Sequence, residues 1–190
     1  VENNNLIKNI LRNKKRNHAI KPQLVVNVDT IEKVRVAIEN GADIILFGGD
    51  NFQHFALKDS DYHKAYLLAK EYNKKIVFNT PQMLKQWQMK GFISLIESFK
   101  ENLPDAIAVN NIGTLHMIKN HFNVPLQADY HMNVYNNLAI ELLASRGVEI
   151  VTLSPELNFS QIEQIADLAK CELECLVHGN LSLMVSEYCA

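Results

Sequence analysis

The chain has 190 residues and a mass of 21.6 kDa, which is enough for one sizeable domain and too short for two. Hydrophobic residues make up 47% and charged residues 21%, a balance that excludes disorder over most of the length, collagen-like repeats and coiled coils. No apolar run reaches the roughly 18 residues of a transmembrane helix, and the formal net charge of -2 indicates neither a strongly basic nor a strongly acidic partner surface.

The charge is unevenly distributed along the chain. Residues 1–22 form a basic, Asn-rich lead-in with six lysine or arginine residues and one acid, whereas residues 23–190 carry an excess of acids. A basic lead-in is compatible with RNA contact, but no aromatic residue is interleaved with its charges for base stacking. We therefore interpret residues 1–22 as a basic linker or lead-in and residues 23–190 as the folded domain.

From residue 23 onward, short β-rich apolar runs alternate with segments of helical periodicity. The runs predicted as strands are Leu24–Val28, Ile44–Phe47, Lys75–Phe78, Ala106–Val109, Leu126–Ala128, Glu149–Leu153 and Glu174–Val177. The segments predicted as helices are Thr30–Asn40, Asp61–Tyr72, Gln82–Asn102, Thr114–His121, Asn136–Ser145 and Ser160–Ala169. Gly41 and Gly147 fit the ends of helices, and Thr30 and Ser160 occupy positions typical of N-caps.

The spacing of the runs predicts the fold. Successive runs start roughly 20 to 32 residues apart, which is typical of right-handed βαβ units and a parallel sheet. Seven such units leave a (β/α) barrel or an open doubly wound sheet, and the absence of G-x-G-x-x-G after the first run disfavours a dinucleotide-binding sheet. The favoured fold is an α/β, parallel (β/α) TIM-barrel-like domain with seven strands, truncated before the eighth. Such a barrel is open between its first and seventh strands unless a neighbouring chain completes it.

Polar residues follow all seven runs, at the end of a parallel barrel where functional residues lie. Ten residues are expected to line one pocket there: Asp29, Gly48, Gly49, Asn79, Asn110, Asp129, His131, Asn133, Glu156 and His178. We assign catalytic roles to Asp129, His131, Glu156 and His178, and substrate binding to the others. Each also has a simpler explanation, such as a helix cap for Asp29 or a turn for the glycine pair, but together they suit a polyhydroxy, carboxylate or nucleobase ligand. Candidates for base stacking, or equally for wall packing, are Phe52, Tyr130 and Tyr135.

Three cysteines without a secretory signal argue against a disulfide framework and favour a reducing cytoplasm. Cys171 and Cys189 flank the last predicted strand and are expected at opposite ends of the barrel, while Cys175 within that strand is expected to be buried. No zinc-type histidine spacing and no G-x-S-x-G motif is present. Acids spaced two residues apart are interpreted as solvated surface groups: Asp59, Asp61, Glu172 and Glu174.

The segment Glu174–Cys189 near the end of the chain changes the functional interpretation, because it resembles the signature of the U32 peptidase family, the collagenase-like proteins. Glu174, Gly179 and Cys189 match the family pattern. Departures from the pattern occur at Leu176 for Phe, Asn180 for a small residue, Ser182 for Cys and Glu187 for Gly. Leu24–Gly49 and Ala128–Leu157 also resemble the family, so the resemblance covers residues 24–190. The ending MVSEYC is most similar to the second, C-terminal copy of the domain in long, two-copy members.

The resemblance implies a TIM-barrel-like domain in a cytoplasmic bacterial protein. The family is labelled peptidase, yet its better understood members resemble oxygen-independent hydroxylases of tRNA or rRNA bases or of the ubiquinone ring. Those members use a [4Fe-4S] cluster held by four cysteines, and the RNA-acting ones are linked to prephenate as hydroxyl source. Only Cys189 falls on a ligand position here, since Ser182 replaces another, so a cluster would need further cysteines beyond Ala190.

We therefore expect part of an iron–sulfur-dependent hydroxylase that acts on tRNA or rRNA bases. The expected partners are RNA, a prephenate-like small carboxylic acid and the first-copy domain of the same full-length chain, with no membrane. Two alternatives remain open: a peptidase of unassigned mechanism, for which the sequence offers neither an activated nucleophile nor a metal-bound water, and a non-catalytic copy that binds RNA or a partner.

Overall fold

The computed structural model describes residues 21–50, 57–99 and 101–181. Residues 1–20 of the lead-in, Phe52 and Cys189 lie outside this part of the chain. The strands are β1 (Val25–Val28), β2 (Ile44–Gly48), β3 (Lys75–Asn79), β4 (Ala106–Val109), β5 (Leu126–Ala128), β6 (Val148–Thr152) and β7 (Glu172–Glu174). The helices are α1 (Ile31–Glu39), α2 (Asp59–Glu71), α3 (Gln86–Glu97), α4 (Ile112–His121), α5 (Asn137–Ser145) and α6 (Phe159–Ala166).

The seven strands form one parallel sheet in the sequential order β1 to β7. A helix follows each of the first six strands, so every connection is a βαβ crossover that returns the chain to the same end of the sheet. The result is a curled half-barrel, with β1 and β7 as the edges of the sheet in the part of the chain that is described. The predicted parallel, seven-stranded barrel-like fold is confirmed.

The last two strands differ from their predicted bounds. β6 begins at Val148, one residue early, and β7 spans Glu172–Glu174 rather than Glu174–Val177. The pairing with β6 sets the end of β7, because Thr152 is opposite Glu174 and the ladder stops there. Leu176 and Val177, whose apolar character prompted the prediction, are exposed after the strand.

Helix starts follow the side chains that cap them. Thr30 caps α1 as predicted, since its hydroxyl accepts from the main-chain N–H of Lys33. The predicted cap Ser160 is wrong: Asn158 caps α6, and its side chain and that of Gln161 each accept from the other's main-chain N–H. This reciprocal capping box satisfies two N–H groups that a cap at Ser160 would leave free.

The two faces of the sheet carry different side chains. Toward the helices, Phe47, Phe78 and Ile107 belong to the main apolar core, and Phe78 makes an edge contact with Tyr62 of α2 at 5.1 Å between ring centroids. Toward the inside of the curl lies a smaller apolar cluster, formed by Leu46, Val77, Ala106 and Ala108. At the carboxyl ends of the strands the inward side chains are polar, and a cavity opens there.

No helix within residues 21–50, 57–99 and 101–181 has the length and apolarity needed to cross a membrane.

Candidate functional site

A cavity of about 350 Å³ opens at the carboxyl ends of the strands. Seven of the ten expected pocket residues line it: Asp29, Gly48, Gly49, Asn79, Asn110, Asp129 and His131. Its lining also includes residues that are not among those ten: Asn27, Lys33, Asp50, Thr80 and Asn180. Tyr130, one of the stacking candidates, lines it as well. Amide and carboxylate groups therefore dominate the wall.

A chain of hydrogen bonds organises the buried side of the cavity. Asn110 donates from Nδ2 to the main-chain oxygen of Thr80 at 2.5 Å and to Asn79 Oδ1 at 2.8 Å. Asn79 in turn donates to Asp129 Oδ2 at 3.3 Å. At the other end, His131 Nδ1 lies 2.7 Å from Asn110 Oδ1. Asn79, Asn110 and Asp129 are buried, so this network fixes their side chains in one arrangement.

Asp129 is the most deeply buried carboxyl group of the lining. It follows β5 directly, and its Oδ1 accepts from the main-chain N–H of Tyr130 at 2.8 Å. Burial raises its pKa above the usual range, and the hydrogen bond from Tyr130, the nearby His131 and the hydrogen bond from Asn79 only partly oppose that effect. A carboxyl group with a raised pKa in a polar cavity is suited to donate or accept a proton.

A second acid, Glu174, lies in the interior of the half-barrel, so its prediction as a solvated surface group is wrong. Glu174, at the end of β7, accepts from Gln127 Nε2 at 3.2 Å and from the Thr152 hydroxyl at 3.1 Å. It is not a solvated surface group: burial raises its pKa, and the nearby Asp129 raises it further. The signal available in the sequence was position, because the last residues of β6 and β7 point inward with the same alternation as Asn79. Glu172, by contrast, is exposed as expected.

The two glycines at the end of β2 allow this strand to approach its neighbours closely. Gly48 and Gly49 have φ values of +107° and +86°, which side-chain-bearing residues rarely adopt. A Cβ on Gly48 would lie 2.5 Å from the Tyr62 hydroxyl and 2.9 Å from the main-chain oxygen of Asn79. The N–H of Gly49 donates to that same oxygen at 3.0 Å, so it is engaged within the sheet rather than offered to an anion.

Charged groups at the rim are held by neighbouring elements. Lys33 of α1 forms an ion pair with Asp29, one turn earlier. Asp50 accepts from the main-chain N–H of Gln82 at 3.1 Å. The N-cap of α1 is Thr30, so Asp29 acts in an ion pair at the cavity rather than as the cap of that helix.

Three of the ten expected residues lie away from the lining. Asn133 is exposed in the left-handed conformation that ends a short 3₁₀ helix. Glu156 is exposed and accepts from the Tyr135 hydroxyl at 2.9 Å, so this stacking candidate also points elsewhere. His178 is exposed, four residues beyond the end of β7. In all three cases the chain turns away before the residue is reached.

Two buried polar atoms of lining residues have no hydrogen-bond partner within the described ranges. They are the hydroxyl oxygen of Thr80, a residue with 0% exposure, and Nε2 of His131. An unsatisfied buried donor or acceptor costs about 1–3 kcal/mol. A ligand or a bound water at these atoms would recover that free energy.

The described cysteines lie apart from one another and from the cavity. Cys171 is buried just before β7, at the opposite end of the sheet from the cavity, and its thiol donates to the main-chain oxygen of Val148 at 3.3 Å. Cys175 is exposed and not in a strand, contrary to expectation. Burial raises the pKa of both thiols. Residues 21–50, 57–99 and 101–181 contain no group of three or more His, Cys, Asp or Glu side chains placed to hold a metal ion, so these residues do not by themselves fit a cluster.

Comparison with known proteins places this geometry in a family. The chain is 28% identical over 181 residues to the tRNA hydroxylation protein P of Escherichia coli, an alignment that covers 89% of this chain and 39% of that protein. It is 24% identical over 188 residues to the tRNA hydroxylation protein P1 of Bacillus subtilis, covering 93% of this chain and 43% of the relative. The chain thus spans about two fifths of the length of these curated relatives.

A solved structure has the same fold as this chain. The U32 peptidase Mk0906 superposes with a TM-score of 0.67 at 10% identity, over 85% of this chain and 71% of that one. At this identity the similarity establishes the fold. The model of the family described as peptidase family U32 matches residues 29–190. This chain therefore belongs to peptidase family U32.

Proposed function

We propose that this chain is the half-barrel module of a cytoplasmic RNA-modifying hydroxylase that acts on tRNA, as an iron–sulfur-dependent and oxygen-independent enzyme. The observation that carries the proposal is the cavity: it is lined by amides and carboxyls, and the relatives that share this half-barrel are named as tRNA hydroxylation proteins. A ribosomal RNA substrate is the closest variant of the same proposal.

The cavity has the size and chemistry for an unstacked base. Its volume of about 350 Å³ lies in the range of small-molecule sites. Asn27 and Asn180 carry amide groups of the kind that pair with base edges, and Asp129 can exchange a proton with the ligand. A base enters such a site only when it is single-stranded or flipped out of its stack, and the Tyr130 ring in the lining offers it a stacking surface.

The proposed cofactor and partners lie largely outside the described residues. Cys189 is proposed as one ligand of a [4Fe-4S] cluster completed by cysteines beyond Ala190, because the described cysteines do not form a ligand set. A cluster would supply electron transfer to the reaction when bound. The prephenate-like small carboxylic acid and the first-copy domain are proposed as partners of the whole protein, of which this chain spans a part.

The test uses the full-length protein in cells that lack the chromosomal copy of its gene. We expect tRNA nucleosides heavier by one oxygen to appear with the wild-type protein and to be lost with Cys189→Ala, together with iron and sulfide in the purified protein. Cys175→Ala is the matched control, because this exposed thiol is outside the cavity, and it should leave both readouts unchanged.

Three results would contradict the proposal. If the Cys189→Ala variant kept the same tRNA nucleosides and the same iron content as the wild type, Cys189 would not be a cluster ligand. Hydrolysis of denatured collagen that disappears in the same variant would favour the peptidase instead. Hydroxylation that persists after Asp129→Asn and Cys189→Ala together would indicate a non-catalytic copy of the domain.

A further inference from the structure

The hydrogen bonds around Asn110 determine where the proton of a neighbouring histidine sits. Asn110 Nδ2 lies 2.5 Å from the main-chain oxygen of Thr80, an atom that can only accept, so this side of the amide must be its NH₂ group. The amide oxygen then faces His131 Nδ1 at 2.7 Å. An amide oxygen accepts and cannot donate, so Nδ1 must carry the hydrogen.

We propose that Asn110 is a positioning residue that keeps the proton of neutral His131 on Nδ1, so that Nε2 is a bare acceptor reserved for a hydrogen-bond donor of the ligand. Asn79 supports this arrangement, because it accepts from Asn110 and donates to Asp129. All donors of the chain therefore run in one direction, from the imidazole through two amides to the carboxyl group. The inference rests on the proposed function only in taking this cavity as the ligand site.

Two observations indicate that a ligand completes the arrangement. Nε2 of His131 is buried and has no partner among the described residues, and the same holds for the hydroxyl of Thr80 in the same cavity lining. The Tyr130 ring lies over the imidazole with 3.9 Å between centroids, which leaves the ring little freedom to turn Nε2 toward solvent. These atoms are satisfied together by a ligand that brings an O–H or N–H donor to Nε2 and a further polar atom to Thr80.

The charge of the lining narrows the class of ligand. Among the described residues, three carboxyl groups line the cavity, those of Asp29, Asp50 and Asp129, against a single lysine, Lys33, which is already paired with Asp29. This balance opposes a ligand with several negative charges and favours a neutral one. The structure thus assigns to His131 a neutral donor-bearing group, such as the ring N–H of a base or a hydroxyl, rather than a phosphate or a dicarboxylate.

The experiment reads the tautomer directly, by nitrogen NMR of the full-length protein labelled with ¹⁵N-histidine at about pH 8.5, about two units above the ordinary histidine pKa. The His131 signals are assigned by their loss in His131→Gln. We expect wild-type His131 to show a protonated Nδ1 and an unprotonated Nε2. Asn110→Leu should shift the ratio of the two tautomers at least about tenfold toward Nε2–H, because the buried hydrogen bond that favours Nδ1–H is lost.

Two further variants separate positioning from a general effect on the fold. Asn110→Asp loses the NH₂ group that faces the Thr80 main-chain oxygen, so it should lower stability, but it keeps an acceptor at Nδ1 and Nδ1 should still carry its hydrogen. Asn111→Leu removes the N-cap of α4, which accepts from Thr114 and has no bond to His131, so it should lower stability without changing the tautomer.

A wild-type His131 that carries its proton on Nε2 would overturn the inference, even if no variant folds. An Asn110→Leu variant that folds and keeps Nδ1–H would overturn it equally. If the tautomer behaves as expected but tRNA hydroxylation is absent from cells with the wild-type protein, the proposed function fails and the positioning role stands.

Discussion

The ends of the first five strands and the ends of the last two receive polar residues in different ways. After β3, β4 and β5, the residues that form the cavity wall are at the strand end or directly after it, as Asn79, Asn110 and Asp129 are. After β6 and β7, the residues that attract attention in the sequence, Glu156 and His178, come four positions later and lie outside the lining.

The difference shows that the direction of a side chain follows from the sheet only at the strand end and at the residue directly after it. Within the strand, alternation fixes the direction of each side chain, and the first residue beyond it inherits that direction. Four residues beyond their strands, Glu156 and His178 lie outside the lining. His131 and Asn180 line the cavity although they also follow their strands by several residues. At the last two strands, the inward positions belong instead to Thr152 and Glu174, which hydrogen-bond to each other.

The largest expected effect is on activity, and it comes from a substitution in the cavity lining. Asp129→Asn removes a proton-exchanging group from the lining, so we expect the yield of hydroxylated tRNA nucleosides per unit time to fall about 100-fold or more. Glu156→Gln, after β6 and outside the lining, should leave this yield within about twofold of the wild type, because substitutions at exposed positions usually have small effects. Equal losses in the two variants, with unchanged thermal unfolding, would show that the cavity is not the reactive site.

The next effect concerns the close approach of β2 and β3. Gly48→Ala places a methyl group against Tyr62 and the main chain of Asn79 at a positive φ, and we expect it to lower the free energy of unfolding by about 2–3 kcal/mol. Gly91→Ala is the matched control: it lies inside α3 with no atom within 4 Å of the added methyl group and should stabilise by about 0.5–1 kcal/mol. Urea unfolding measures both, and a Gly48→Ala protein as stable as the wild type would contradict the packing described for the end of β2.

The acid at the end of β7 predicts a pH dependence. Because burial raises the pKa of Glu174 in the folded protein, the folded state binds more protons than the unfolded chain above about pH 4.3, the ordinary pKa of glutamate. The stability from this group is complete below that pH and is lost as the pH rises through the folded-state pKa. We therefore expect Glu174→Gln to lose less stability than the wild type between pH 4 and pH 8, in urea titrations at each pH.

The control for this pH dependence lies on the same strand. Glu172 is exposed, so Glu172→Gln should follow the wild-type curve. A Glu174→Gln curve parallel to the wild type would mean that this acid is solvated after all.

The smallest expected effect is at the exposed contact between Tyr135 and Glu156. Tyr135→Phe removes the hydroxyl that donates to Glu156, and since both residues are exposed, the loss should be about 0.5 kcal/mol or less. A loss above about 1 kcal/mol in chemical denaturation would indicate that this contact is part of the folded core rather than of its surface.

The sequence predicted the sheet well because each of the first five apolar runs is also a ladder partner of its neighbours. It failed where partners, rather than local character, decide: β7 ends at Glu174 because β6 offers no further pairing, although Leu176 and Val177 are apolar. The same cause hid Glu174, which its spacing from Glu172 suggested was a surface acid. The N-cap of α6 is Asn158 because Asn158 and Gln161 accept hydrogen bonds from each other's main-chain N–H. Choosing Ser160 as the cap considered one residue and missed this pair.

The sequential strand order has a consequence for how the chain folds. Every strand pairs with the strand made immediately before it, at a separation of roughly 20 to 30 residues, so no pairing must wait for a distant segment to be synthesised. The sheet can therefore grow in the order of translation, each new βα unit adding to an edge that is already in place. In such a process, the cavity wall from Asn79 to Asp129 is assembled before β7 joins the sheet.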